Sequence, residues 1–528
     1  MTVRIGELVS APRDGAGGEA MRGWLAAVVV LLGASVEAKA GPPARTVDPS
    51  RSIVKLYVTT VARDVTAPWR PGWSHAVTGS GAVLGSGRVL TAAHVVDDQT
   101  YVQVRPNGTA RKFRARVAFV SHAADLALVE VDDPGFRELT APLELGDLPP
   151  VRAGVAAYGF PNGGETLSIT EGVVARVEDW PYVHSGESLL AIQMDAAVDP
   201  GSSGGPLLRE GRIVGVAMQG FKGSGIGCAV PVPMVRQFLD DVADGRLDGV
   251  PELGLGWQKL ENPALKGSVG LPAGATGVLL TSVGAPAEGL LEQGDVLLSI
   301  AGRDVADDGT VELRPGERTE LAVAADLLPI GSPVAVRYVR DGAVLSGELR
   351  LTRARGEGRL VPRLFDRNAD YYLYGGLGFV TLTRNLLDVA KEWAPARIAA
   401  LAGFEQSTPG EEVVLLADVL TAEVNSGYED QRWKVVAEVD GQEIERLADL
   451  VQLVEQPGGG PFVVFGLDGG GRVTVDRARA TAAGREVLAR YEVASDRSAN
   501  LAGLRAEPGA AVAQAVSSAS DPAEVRQP

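Results

Sequence analysis

From about Val47 to Leu239 the apolar residues fall in short runs of four to ten, cut by Gly, Pro, Asn and Asp. SIVKLYVTTV, GAVLGSGRVLTAAHVV, LALVEV, GVAAYGF, LLAIQMDAAV, RIVGVAMQG and GIGCAVPV are the clearest. Strand-length apolar runs at this spacing, without helical segments between them, predict an antiparallel barrel or sandwich rather than βαβ units. Helical spacing appears first at 234–245, where Met234, Val235, Phe238, Leu239 and Val242 share one face before Gly245. That pattern predicts a helix closing a domain. Residues 252–352 repeat the style at smaller scale, with the strands GVLLTSV, DVLLSIAG and PVAVRYVRDG and a helix-like run, ERTELAVAADLL, at 317–328. After the joint ARGEGRLVPRL, the segment from Tyr371 to Val475 follows a related plan, with a second helix-like run, ERLADLVQLV, at 445–454.

The predicted organisation is an N-terminal extension and targeting segment (1–40), a first β domain (41–249), two smaller α+β modules (250–355 and 356–490) and a disordered tail (491–528). The tail is Ala-, Ser-, Glu- and Pro-rich and lacks periodicity. Within 22–40, Arg22 precedes an apolar run from Trp24 to Ala34, and Ala38-Lys39-Ala40 supplies a small-x-small cleavage pattern. This is the layout of a secretory signal, too short to be a stable membrane span. It leaves either Met1 or Met21 as the start and predicts an exported protein of the periplasm or cell envelope. A cytosolic scaffold is the reading if that segment is misassigned.

Composition narrows the chemistry. The formal charge of −17 argues against nucleic acid as a partner. A single cysteine, Cys228, excludes an intramolecular disulfide and a multi-cysteine metal site, and four histidines argue against a His-rich metal centre; the serine chemistry read below requires no metal and no cofactor. The 66 glycines and 32 prolines fit a turn-rich β protein.

Three short stretches then gain meaning together. Thr91-Ala92-Ala93-His94 ends an apolar strand, Asp125 leads into LALVEV, and Gly201-Ser202-Ser203-Gly204-Gly205-Pro206 follows DAAVDP. Acyl transfer by a serine needs a base for its proton, a carboxylate to orient that base, and backbone N–H groups aimed at the oxyanion. His94, Asp125 and Ser203 are the candidates, in the chain order of chymotrypsin-type enzymes, with the amides of the 201–203 turn as donors. His75, His122 and His184 have no such context.

The stretches GSGAVLGSGRVLTAAHVV, DLALVEV, YGFPNGGETLSITEGVVARV, DAAVDPGSSGGPLLREGRIVGVAMQG and GIGCAVP resemble the HtrA/Deg serine proteases. The resemblance implies a mainly β fold: a trypsin-like double β-barrel followed by two PDZ-like modules, nearest to plant-type Deg proteases. It implies His94, Asp125 and Ser203 as the triad and the backbone of Gly201, Ser202 and Ser203 as the oxyanion hole. Ser202 departs from the family's usual Asn, which keeps open a non-catalytic chaperone that retains the fold. Ala197, Met218, Gln219 and Cys228 are implied as the substrate pocket. Ala197 stands six positions before the nucleophile, where trypsin-like enzymes selective for basic residues carry Asp, so a small or aliphatic side chain is expected there. Gly254, Leu255, Gly256 and Trp257 resemble a PDZ carboxylate-binding turn, with 317–328 as the facing helix. The related GLGF at 376–379 is left between peptide binding and packing between subunits. The implied partners are unfolded or damaged proteins and peptide C-termini, and the implied state is a trimer or a multiple of trimers. The implied role is endopeptidase quality control.

Overall fold

The computed structural model describes residues 48–504, apart from 222, 224 and 273. The targeting segment and residues 505–528 lie outside the described residues. Two closed six-stranded barrels come first. One is built from β1 (Ile53–Ala62), β2 (Trp73–Val83), β3 (Arg88–Thr91), β4 (Gln99–Pro106), β5 (Phe113–Ser121) and β6 (Leu126–Glu130), in the order β1-β2-β3-β6-β5-β4. The other uses β7 (Gly154–Gly159), β8 (Ser168–Pro181), β9 (Ser188–Met194), β10 (Pro206–Arg209), β11 (Arg212–Phe221) and β12 (Ile226–Pro231), in the order β10-β11-β12-β9-β8-β7.

All neighbouring pairs are antiparallel, and Val102, Val104 and Pro106 turn inward on β4 while Tyr101, Gln103 and Arg105 turn out. That alternation is what one buried face requires. The largest core cluster takes Ala82, Leu90 and Leu128 from the first barrel and Val177, Ile192 and Val216 from the second. The helix Val232–Asp241 contributes Met234, Val235 and Phe238, and Gly245 ends this segment in the left-handed region at φ 91°.

The first module is a sheet in which Leu255–Lys259 forms one edge, paired on one side only, with Val278–Val283. The helix expected over 317–328 is much shorter. Glu317–Glu320 is a strand paired with Thr310–Arg314, and only Val323–Asp326 is helical. The Pro315-Gly316 turn folds the chain back into a hairpin, and cross-strand pairing overrides the helical spacing.

In the second module the helix Leu447–Glu455 stands where the spacing put it, burying Leu447, Leu450, Val451 and Val454. Residues 491–504, assigned above to the tail, are folded. Leu501 is buried in the module's core, and the buried Arg497 guanidinium pairs with Glu455 and Asp496. A sequence poor in periodic apolar residues can still be held by one such ion cluster.

Candidate functional site

His94 lies in the short helix Ala93–Val96 that follows β3, Asp125 in the turn before β6, and Ser203 in the turn before β10. Two residues thus come from the first barrel and one from the second. The turns meet because Gly204 has no side chain. A Cβ there would strike Thr91 Oγ1, the Ser80 carbonyl and the Ala92 amide, and its φ of 80° suits glycine alone. The Ser203 carbonyl also accepts from the Ser80 amide at 2.9 Å.

Asp125 is fully buried. Its carboxylate accepts from the His94 amide at 3.1 Å and faces His94 Nδ1 at 2.9 and 3.0 Å. With Nδ1–H aimed at Asp125, Nε2 is left as the basic nitrogen. Burial works against a charged imidazole here, but the carboxylates of Asp125 and Asp97 outweigh it and hold His94 above its usual pKa. A further group enters from the turn between β8 and β9. The buried Tyr182 hydroxyl lies 3.0 Å from His94 Nδ1, beside the Asp125 carboxylate. Burial first, then the Asp125 charge, raises the Tyr182 pKa, so it stays a neutral donor.

The 201–205 turn leaves two backbone donors. The Pro200 carbonyl accepts from Asn162 N at 2.6 Å, and the Ser202 carbonyl accepts from Gly205 N at 3.0 Å. In a trans peptide C=O and N–H point in opposite directions. The Gly201 and Ser203 amides therefore point away from these partners, and neither donates to an acceptor among the described residues. Ser80 holds the intervening peptide, its hydroxyl donating to the Gly201 carbonyl at 2.7 Å and accepting from Phe160 N at 2.9 Å. Ser202 acts through its backbone, donating to the Asp199 carbonyl. The Ser203 hydroxyl donates to the Met218 carbonyl at 3.5 Å rather than to His94.

The four expected pocket residues do not share one environment. Ala197 is exposed, while Met218 and Cys228 are buried in the core of the second barrel. Burial pushes the Cys228 thiol up to about 11, so it is an inert apolar side chain. Gln219 is tied to the β8–β9 turn through the Pro181 carbonyl at 3.1 Å and Val183 N at 3.3 Å.

Gly254, Leu255 and Trp257 line a cavity of about 390 Å³ facing Ala322 and Asp326, with one strand edge free for a peptide. The same cavity holds the carboxylates of Asp179, Glu187, Glu252, Glu320 and Asp326 against one cation, Arg355. Arg355 is already engaged by Asp326 at 2.5 Å and by the Ser188 carbonyl at 2.7 Å. In the second module the Leu377–Thr381 strand is wholly buried and paired on both sides, with Tyr371–Tyr374 and Val414–Val419. The edge that a peptide would need is occupied by the chain's own strand.

Sequence reasoning missed Tyr182, Ser80 and Asn162. Ser80 carried a faint signal, standing between two glycines just before the apolar Ala82-Val83-Leu84; the other two carried none.

Residues 79–216 match the family described as trypsin-like peptidase domain, and residues 361–500 match that described as PDZ domain. Protease Do-like 2, chloroplastic, of Arabidopsis thaliana is 33% identical over 474 residues, spanning 87% of this chain and 77% of that protein. Protease Do-like 4, mitochondrial, of the same plant is 32% identical over 409 residues, spanning 76% of each. The solved structure of the HtrA-type protease AlgW with tripeptide aligns at 22% identity and a TM-score of 0.46, over 57% of this chain and 94% of that one. Among the described residues no helix is long and apolar enough to cross a membrane. With the barrels, the modules and relatives matched over most of their length, the chain belongs to the HtrA/Deg family of Do-like serine proteases.

Proposed function

We propose that Ser203 is the nucleophile of an endopeptidase, with His94 as its base and Asp125 as the orienting carboxylate. The observation that carries this reading is the buried Asp125 carboxylate on His94 Nδ1, beside a turn with free amides at Gly201 and Ser203. The Ser203 hydroxyl turns from the Met218 carbonyl toward Nε2 of His94 and attacks the scissile carbonyl. His94 takes the proton and returns it to the leaving amine, and water releases the acyl-enzyme by the same route. The Gly201 and Ser203 amides stabilise the oxyanion. Ala197 brings no charge to the pocket, so small or aliphatic residues are preferred before the cut. The substrates are unfolded or damaged proteins, in keeping with a role in quality control, and the free edge of the first module recruits their chain ends. The chain works as a homo-oligomer, exported by way of residues 22–40; recovery of material beginning at Gly41 would support the export route.

The test is Ser203→Ala in the full chain. Casein cleavage and labelling by a fluorophosphonate should both disappear while the thermal unfolding curve is retained. Retained cleavage in that variant would overturn the assignment.

A further inference from the structure

Three of the chain's four histidines fold to one place. The ring centroids of His94 and His184 are 6.0 Å apart, and those of His184 and His122 are 6.3 Å apart. His184, from the β8–β9 turn, sets Nε2 2.9 Å from Oδ2 of Asp97, which follows the helix bearing His94. His122, from the turn after β5, sets Nε2 3.0 Å from Oδ2 of Asp366, in the joint between the two modules. Phe365 stacks on His122 at 4.0 Å, with ring planes only 6° apart, and screens it from water. Asp97, His122 and His184 each bring one ligand-type atom, all within 4.8 Å of one another.

Two features call for something that the protein itself does not supply. Asp97 Oδ1 and His122 Nδ1 are buried with no hydrogen-bond partner among the described residues, although the His122 side chain is only 10% exposed. Leaving such groups unmet is costly and uncommon. The charges around it are also unevenly paired. Of the arginines lining the same cavity, Arg63 pairs with Asp98, Arg363 with Asp388 and Arg367 with Asp370, while Asp97 and Asp366 face the imidazoles of His184 and His122.

We propose that Asp97, His122 and His184 form a binding site for a divalent first-row transition metal, with Asp366 orienting His122. Two imidazoles beside carboxylate oxygen suit zinc and its neighbours, whereas calcium and magnesium favour oxygen throughout. For metal–ligand bonds of about 2.1 Å, tetrahedral ligand atoms stand roughly 3.4 Å apart. The present spacing, within 4.8 Å, would have to close to that on binding. A carboxylate holding the second nitrogen of a ligating histidine is the usual outer partner. The ion would fasten the β8–β9 turn, which carries Tyr182 onto His94, to both the first barrel and the joint. None of its residues is in the proposed triad, but Asp97 also acts on His94, so the site is read by metal binding itself and not by proteolysis.

The test uses the full chain carrying Ser203→Ala to prevent self-cleavage, freed of any histidine tag and stripped by chelator. Zn2+ is titrated by calorimetry, and Co2+ by its visible absorption. One equivalent should bind with a micromolar or tighter constant, and Co2+ should give the intense bands of a low-coordinate site. His122→Gln, His184→Gln and Asp97→Asn should each weaken binding at least tenfold. His75→Gln, at an exposed position on β2, should not. Circular dichroism separates lost binding from lost folding, and the isosteric Asp97→Asn carries the test if a histidine variant unfolds. Absence of saturable binding to the parent chain, or binding that survives the paired change His122→Gln and His184→Gln, would overturn the proposal.

Discussion

Lys55 offers a way to test whether the oxyanion turn is held from a distance. Its ammonium is buried in the wall of the first barrel, with the side chain 1% exposed, and donates to the Gly163 carbonyl at 2.7 Å and to Glu165 at 2.8 Å. Gly163 is next to Asn162, whose amide turns the Pro200 carbonyl and so sets the direction of the Gly201 N–H. Lys55→Met keeps the length of the side chain and removes the charge. The lost bond to the Gly163 carbonyl, a hydrogen bond from a charged donor, stabilises the loop by about 2 kcal/mol. Glu165 is largely exposed and is simply rehydrated. If the loop is ordered by that bond, the competent Gly201 orientation weakens by the same amount. At roughly 1.4 kcal/mol per factor of ten, acylation falls about thirtyfold. The assay is the second-order rate of fluorophosphonate labelling, read beside the thermal unfolding curve. Glu165→Gln, changing an exposed partner, should cost far less. A Lys55→Met protein that unfolds earlier but acylates at the parent rate would refute the link between this lysine and the oxyanion turn.

Four further outcomes follow from the geometry. Gly204→Ala forces a Cβ into Thr91 and the Ser80 carbonyl at a φ that disfavours alanine; it should lower the melting temperature and abolish labelling together, and an active Gly204→Ala would contradict the inter-barrel contact. His94 must be neutral to act as base, and its folded pKa lies above the ordinary value, so the base is lost as pH falls through that raised value. The acid limb of kcat/KM should therefore have its midpoint above about 6.5, and a midpoint at or below that would count against the Asp125 contact. Asp326→Ala leaves the buried Arg355 guanidinium without its carboxylate and should cost about 3 kcal/mol in denaturant titrations; a cost near zero would mean that the pair is solvated. Cys228, buried and shifted up to about 11, should resist iodoacetamide at pH 8 in the native protein and react only on unfolding, as mass spectrometry of the intact chain would show.

What the sequence exposed, and what it concealed, follows from the range over which each constraint acts. His94, Asp125 and the 201–206 turn were legible because each needs its own neighbours: a strand end, a strand lead, glycines that let a backbone turn tightly. Tyr182, Lys55 and Asn162 act through one atom each on groups far away in the chain, so nothing beside them in sequence marks the role. His122 and His184 are the same case, each unremarkable alone and meaningful only beside Asp97 and Asp366. The two glycine turns show the limit most clearly. Gly254–Trp257 and Gly376–Phe379 read as versions of one motif, yet the first begins an open sheet edge while the second enters a strand paired on both sides. The difference lies in Tyr371–Tyr374, whose four buried residues claim the edge that a peptide would otherwise take. A motif fixes the local backbone; whether that backbone can receive a ligand is decided by which other strand reaches it first.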